Sequence, residues 1–358
     1  MPYKPPTMKK FFTPALFVLS IFFFLNISCT EKSYDIEPSP VTINPYVESN
    51  SPYFDLGRML FYDANLSVNA SISCASCHKQ TLAFSDNVQF SSGFENRLTV
   101  RNSLPIQNLV SMNFSDSIRL FWDGRENHLS TMVLKPILNH VEMGMGTEND
   151  IVNRVRNLSY YKPFLDKIIS NGIITPQLIS TALTTFVSSI TSSGSRFFKS
   201  QNNQAQLTAL EQQGQQLFFS KYNCNACHHT EELNFYNTNP GGFENIGLET
   251  NSVDKGRYNV TGNPNDIGKF KIPSLLNIAL TAPYMHDGRF TSLDQVLEHY
   301  SHNIADNPTL SNALRDEDGK PIRMNISDQE KTAIIAFLNT LTDFQLVSNP
   351  LLKNPFVH

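Results

Sequence analysis

Cys74-Ala75-Ser76-Cys77-His78 decides the reading of this chain. Two cysteines at this spacing reach out from a single helical turn, and the adjacent histidine is left to bind a metal from one face. That is the attachment signal for a c-type haem: the thiols add to the two vinyl groups and His78 takes the iron. A zinc half-site would need a second cysteine pair nearby, and a thioredoxin-like redox pair would not require the histidine. Cys224-Asn225-Ala226-Cys227-His228 repeats the motif far downstream. Two copies behind an export signal select covalent haem, two groups per chain, over both alternatives.

The export signal stands at the start. Lys9 and Lys10 precede an apolar run from Phe11 to Leu25, short for a membrane span but right for a signal peptide, with Met8 as a candidate true start. The run leads into Asn26-Ile27-Ser28-Cys29, which resembles a bacterial lipobox with Asn26 where leucine is expected. The chain has five cysteines; four belong to the haem motifs, which leaves Cys29 for lipid or for removal with the signal. Residues 1–28 are expected to be the signal peptide and 29–50, rich in Ser, Pro and Asn, a tether. The protein is therefore expected on the periplasmic side as a membrane-anchored lipoprotein. A net charge of −4 offers no basic surplus for nucleic acid.

Internal similarity sets the expected organisation. Gly57-Arg58-Met59-Leu60-Phe61-Tyr62 precedes the first haem motif and Gly214-Gln215-Gln216-Leu217-Phe218-Phe219 the second. Ser103-Leu104-Pro105-Ile106-Gln107-Asn108 parallels Ser274-Leu275-Leu276-Asn277, and Asp123-Gly124-Arg125 with Leu129 parallels Asp287-Gly288-Arg289 with Leu293. The expectation is a mainly α chain with two cytochrome c-like haem domains from a duplicated unit, at 51–205 and 206–345, and a tail at 346–358. Between the domains, Leu178, Ala182, Phe186 and Ile190 predict a helix from Pro176 to Phe198, followed by a Gln/Asn-rich linker at 201–206. Ser327 with Glu330 forms a capping-box pattern ahead of a last apolar helix.

From about Pro52 to Asp343 the chain resembles the bacterial di-haem cytochrome c peroxidases and their MauG-like relatives. Besides the haem motifs, Arg101-Asn102-Ser103-Leu104-Pro105, Phe121-Trp122-Asp123-Gly124-Arg125, Glu142-Met143-Gly144 and Ala282-Pro283-Tyr284-Met285-His286-Asp287-Gly288-Arg289 carry the resemblance. It implies an oxidoreductase in which hydrogen peroxide meets the N-terminal haem while the C-terminal haem exchanges electrons. It also implies a calcium ion between the domains, held by the Asn102 side chain and the backbone carbonyls of Thr281 and Pro283; hard oxygen donors suit that ion.

The resemblance assigns roles to individual residues. Glu142 matches a distal glutamate that moves protons during O–O cleavage, and Trp122 an indole that relays electrons between the haems. His78 and His228 are the proximal ligands; His229, next in line, cannot share that axis. Phe94 stands where a resting histidine ligand falls in the peroxidases, so the first iron is expected to be open. On the second iron the peroxidases place an axial methionine where this chain has Tyr300, as MauG-like proteins do; Met285 is the alternative. A distal glutamine of many relatives is Met132 here, which cannot donate a hydrogen bond. The electron source is either a periplasmic donor protein or an oxidisable protein substrate. The competing function is a lipid-anchored electron-transfer cytochrome without peroxidase activity, which would need both irons saturated.

Overall fold

A computed structural model describes residues 48–109, 119–228 and 242–357, together with 1, 2, 4 and the short strand Thr42–Ile43. The expected leader, Cys29 and His229 lie outside the described residues. No helix among the described residues is long and apolar enough to cross a membrane.

The chain is mainly helical with little strand, as expected. Its long helices begin where the local chemistry supplies caps. Ser51 accepts from the Phe54 amide ahead of Pro52–Tyr62, and Thr175 from the Leu178 amide ahead of Pro176–Ser188. Proline opens both helices, where its missing N–H costs nothing. Thr208 with Glu211 and Ser327 with Glu330 form reciprocal capping boxes at the starts of Ala209–Gln216 and Asp328–Asn339.

These four helices pack as two matched pairs. Pro52–Tyr62 lies on Pro176–Ser188, and Ala209–Gln216 lies on Asp328–Asn339. Each crossing is tight because a glycine lies against a carbonyl. A side chain at Gly57 would collide with the Ala182 carbonyl, and one at Gly214 with the Ala333 carbonyl. Beside each crossing an aromatic pair fills the core, Phe61 on Phe186 at 5.1 Å and Phe218 on Phe337 at 5.5 Å between ring centroids.

The predicted Pro176–Phe198 helix is shorter than the periodicity suggested. It ends at Ser188, and a separate helix runs from Arg196 to Gln201. The intervening Thr191-Ser192-Ser193-Gly194-Ser195 run leaves the helix because its amides have a better acceptor. The buried carboxylate of Asp343 takes the Ser193 and Gly194 amides at 2.9 and 2.7 Å on Oδ2, and the Gln345 and Leu346 amides at 2.9 and 3.3 Å on Oδ1. Around it, Asn277 accepts the Asp343 amide at 2.7 Å and donates to Ser192 Oγ at 3.0 Å. Asn108 grips the Ser192 backbone with both ends of its amide, at 2.6 and 3.1 Å. Asn108 and Asn277 both sit at positive φ, 58° and 61°, which asparagine tolerates better than other non-glycine residues.

Residues 36–358 form one compact unit, and the segment expected to be a tail is built into it. Leu346, Leu352 and Phe356 are buried in the core of the N-terminal half. Tyr62 Oη donates to the Leu352 carbonyl at 2.6 Å, and Arg58 to the Leu351 carbonyl at 2.7 Å. Phe356–Val357 pairs antiparallel with Thr42–Ile43, inside the stretch expected to be a tether.

Removing a buried acceptor that serves four amides leaves those donors unpaired. Asp343→Ala is expected to lower unfolding stability by about 3 kcal/mol or more, with Asp343→Asn milder. Denaturant unfolding of the holoprotein measures both.

Candidate functional site

The first haem motif forms the one-turn helix Cys74–Cys77, with the His78 amide bonded to the Cys74 carbonyl at 2.9 Å. His78 Nδ1 lies 3.0 Å from the Phe84 carbonyl. A carbonyl can only accept, so Nδ1 carries the proton and the Nε2 lone pair is free to ligate. The second motif repeats the device. A short turn at Cys224–Ala226 brings the His228 amide to the Cys224 carbonyl at 3.0 Å, and His228 Nδ1 donates to the Pro273 carbonyl at 3.2 Å. Burial pushes the His228 imidazole down to about 4 and lowers His78 as well, so both rings are neutral donors for a metal. The four thiols are unpaired with one another; burial raises Cys74 and Cys224 to about 12.

Around the first motif the predicted residues do come together. Glu142 is half-buried and accepts from the Asn139 side-chain amide at 2.7 Å. Burial pushes its carboxyl above the usual range, while nearby Arg125 and the Asn139 bond pull the other way. Its charge is felt at the Cys74 and Cys77 thiols, so it lies near the first haem motif. Phe94 is buried beside it, its amide donating to the Glu142 carbonyl at 2.9 Å. The Phe94 ring lies against Gly144, with the Arg97 guanidinium 4.7 Å from the ring centroid. Met132 closes the short helix Leu129–Met132 and packs against the same core.

A cavity of about 410 Å3 opens at the second motif, lined by Cys224, Cys227, His228 and Tyr300. Tyr300 sits on the helix Leu293–His302, and burial raises its phenol well above the ordinary value. Met285, the alternative ligand, lines the cavity too, at φ 74° in its loop.

Trp122 lines the same space from the other half of the chain. Its indole Nε1 donates to the Asn102 carbonyl at 2.8 Å, and its own carbonyl accepts from the Lys271 amide at 2.8 Å. The Asn102 amide in turn donates to the His286 carbonyl at 2.8 Å, and the His286 ring stands 6.5 Å from Trp122. Arg101 braces this junction by binding Asp123 at 2.6 Å and Asp254 at 2.7 Å. Asp123–Arg125 and Asp287–Arg289 are ion pairs that hold their own loops.

Asn102, Thr281 and Pro283 all border the cavity. The Asn102 NH2 is engaged by the Val88 and Gln89 carbonyls at 3.1 and 3.2 Å, so its Oδ1 faces elsewhere. Among the described residues no three His, Cys, Asp or Glu side chains gather to hold a metal ion.

One residue of this site carries no sequence signal. Lys271 lies on the short strand Phe270–Lys271 and lines the cavity. Burial alone pulls its ammonium down to about 8, and no anion pairs with it among the described residues. An orphaned cation aimed into an apolar space beside two thiols and an imidazole fits an anionic group such as a haem propionate. The donor set and this charge both suit a covalently held haem.

A mainly helical chain with two thiol-thiol-imidazole motifs, one near a buried glutamate of raised proton affinity, fits a di-haem c-type oxidoreductase. The family model "Di-haem cytochrome c peroxidase" matches residues 51–206. The cytochrome c551 peroxidase of Nitrosomonas europaea is 30% identical over 97% of this chain and 97% of its own. The methylamine utilization protein MauG of Methylorubrum extorquens is 32% identical, over 80% of this chain and 77% of its own. Among solved structures, a MauG-like protein associated with microbial copper homeostasis superposes with a TM-score of 0.73 at 32% identity, covering 89% of this chain and 97% of that one. The diheme peroxidase BthA of Burkholderia thailandensis, at 19% identity and a TM-score of 0.70, shares the fold. The chain belongs to the di-haem cytochrome c peroxidase and MauG family, a family of peroxidase-type oxidoreductases with two c-type haems.

The raised carboxyl of Glu142 has a stability consequence with a definite sign. The folded site keeps this proton above the pH at which the unfolded chain has lost it, so stability falls as pH rises past about 4.3. Glu142→Gln is expected to be at least as stable as the parent near neutral pH, with the advantage vanishing in acid. Thermal unfolding across that pH range measures it.

Proposed function

We propose that this chain is an exported di-haem peroxidase. It reduces hydrogen peroxide at the haem held by Cys74, Cys77 and His78, with electrons passing by way of the haem held by Cys224, Cys227 and His228. One observation carries this direction. At the first motif a carboxyl whose proton affinity burial raises, Glu142, stands beside Phe94, a side chain that cannot ligate, at the position where the peroxidases bring a second ligand.

When bound, the haems would supply redox-active iron for peroxide reduction and electron transfer. Glu142 takes the proton from the near oxygen of peroxide and returns it to the departing one. Trp122, held between Asn102 and Lys271, relays electrons across the junction of the halves. Tyr300, with Met285 as the alternative, would help hold the second haem together with His228, and Lys271 would neutralise a propionate there. Met132 gives the peroxide site no hydrogen-bond donor in place of the usual glutamine. Calcium, where present, is held by Asn102, Thr281 and Pro283.

The matched helix crossings at Gly57 and Gly214 and the paired Asn108 and Asn277 turns support one helical unit used twice, at 51–205 and 206–345. The Lys9-Lys10 and Phe11–Leu25 leader supports export, and Cys29 a lipid anchor on the periplasmic side. The electron source is a small donor protein or, as Tyr300 and Phe94 favour, the side chains of a protein substrate in the manner of MauG.

Peroxide titration of the fully ferric holoprotein, followed optically, tests this reading. About one equivalent is expected to change both haem spectra without prior reduction. A response only after reduction would mean ordinary donor-dependent peroxidase behaviour, and no response in either state would leave only electron transfer. Ferric EPR is expected to show a high-spin centre; low-spin iron alone would reject the open first haem. Tyr300→Phe is expected to abolish the low-spin signal of the second haem, and Lys271→Met to lower that haem's midpoint potential by removing a positive charge.

A further inference from the structure

A second cluster of titratable groups lies beside the first haem motif, outside the machinery above. The hydroxyls of Tyr160 and Tyr161 both donate to the same oxygen, Asp63 Oδ2, at 2.6 Å each. Their rings are 4.9 Å apart. Asp63 is 2% exposed, and among the described residues its other oxygen accepts the Asn65 amide, at 2.8 Å. No lysine or arginine pairs with this carboxylate among the described residues. Tyr161 is fully buried and shares its core with the residues packed on Cys74, whose charge state reaches the phenol. Tyr160 is only half-buried, with its edge toward Phe356. The pair thus runs from the first haem motif outward.

We propose that Tyr161 and Tyr160 form a redox-active exit from the first haem site, with Asp63 as their shared proton acceptor. This rests on the reading that peroxide is reduced at that haem, which supplies the one-electron oxidant.

The chemistry follows from the hydrogen bonds. Burial and the Asp63 charge keep both phenols neutral, so a phenol here loses its electron together with its proton. One electron leaves the Tyr161 ring for the oxidising equivalent left when peroxide becomes water. The O–H bond breaks and its proton moves to Asp63 Oδ2, leaving a neutral tyrosyl radical and a protonated carboxyl. Tyr160 then reduces that radical. Its proton passes to Asp63 while the first returns to Tyr161, and the radical ends on the half-buried ring. The shared oxygen makes this exchange possible without a free proton. The exit draws oxidising power away from Met59, Met143 and Met145, which lie buried in the same core and are oxidisable side chains.

The test adds excess peroxide to the ferric holoprotein without donor, with freeze-quench EPR on protein carrying ring-deuterated tyrosine. A radical that narrows on deuteration is expected, and Tyr160→Phe with Tyr161→Phe is expected to lose it while sulfoxide at Met143 and Met145 rises. Asp63→Asn keeps the packing but removes the base, and should slow radical formation on the order of a hundredfold. Peroxide consumption with no tyrosine-derived radical, or an unchanged radical in the double variant, overturns the exit and leaves the peroxidase reading standing. No consumption at all overturns both.

Discussion

The buried carboxylate of Asp343 is the constraint on which the rest of the architecture depends. A charge removed from water must be surrounded by donors, and here the donors are backbone amides from two distant stretches, Ser193-Gly194 and Gln345-Leu346. Meeting that demand stops one helix at Ser188 and starts another at Arg196. It also docks the end of the Asp328–Asn339 region against the N-terminal half. Asn108 and Asn277, both left-handed, complete the knot through Ser192. Each also lies a few residues after a segment that lines the cavity at the second motif, so the same polar knot sets the relative placement of those two segments.

The chemistry itself sits on loops and short turns, while the long helices serve as a rigid frame. Both proximal histidines are aimed by a single backbone carbonyl, from Phe84 in one half and Pro273 in the other. The junction between halves is polar and continuous, running from Asp254 through Arg101 and Asp123 to Trp122, Asn102 and His286. The Trp122 ring is oriented by its indole bond to the Asn102 carbonyl, while its backbone is fixed by the Lys271 amide.

Much of this was legible in the chain. Cysteine and histidine spacing announced the haem sites, because covalent chemistry demands fixed residue types at fixed offsets. The caps at Ser327 and Glu330 and the apolar faces of the helices were equally plain, being local. Glu142 and Trp122 were singled out through the motifs around them, since a single glutamate or tryptophan has no signature of its own. What stayed hidden depends on distant partners. Lys271 reads as an ordinary surface lysine until the fold closes a cavity over it. Asp343 looks like a residue in a polar turn, and the Thr191–Ser195 run keeps enough helical neighbours to pass for more helix. The shared carboxylate of Tyr160 and Tyr161 joins Asp63 to residues nearly a hundred positions away, which no periodicity reports.

The last stretch of chain has a consequence for how the protein is made. Leu352 and Phe356 fill the core of the half that carries the first haem motif, and Phe356–Val357 zips against Thr42–Ile43. The core of that half can therefore close only after Leu352 and Phe356 have been made and have docked. Completion of this half thus waits on long-range closure rather than on local helix formation, which makes it the slower kind of folding step.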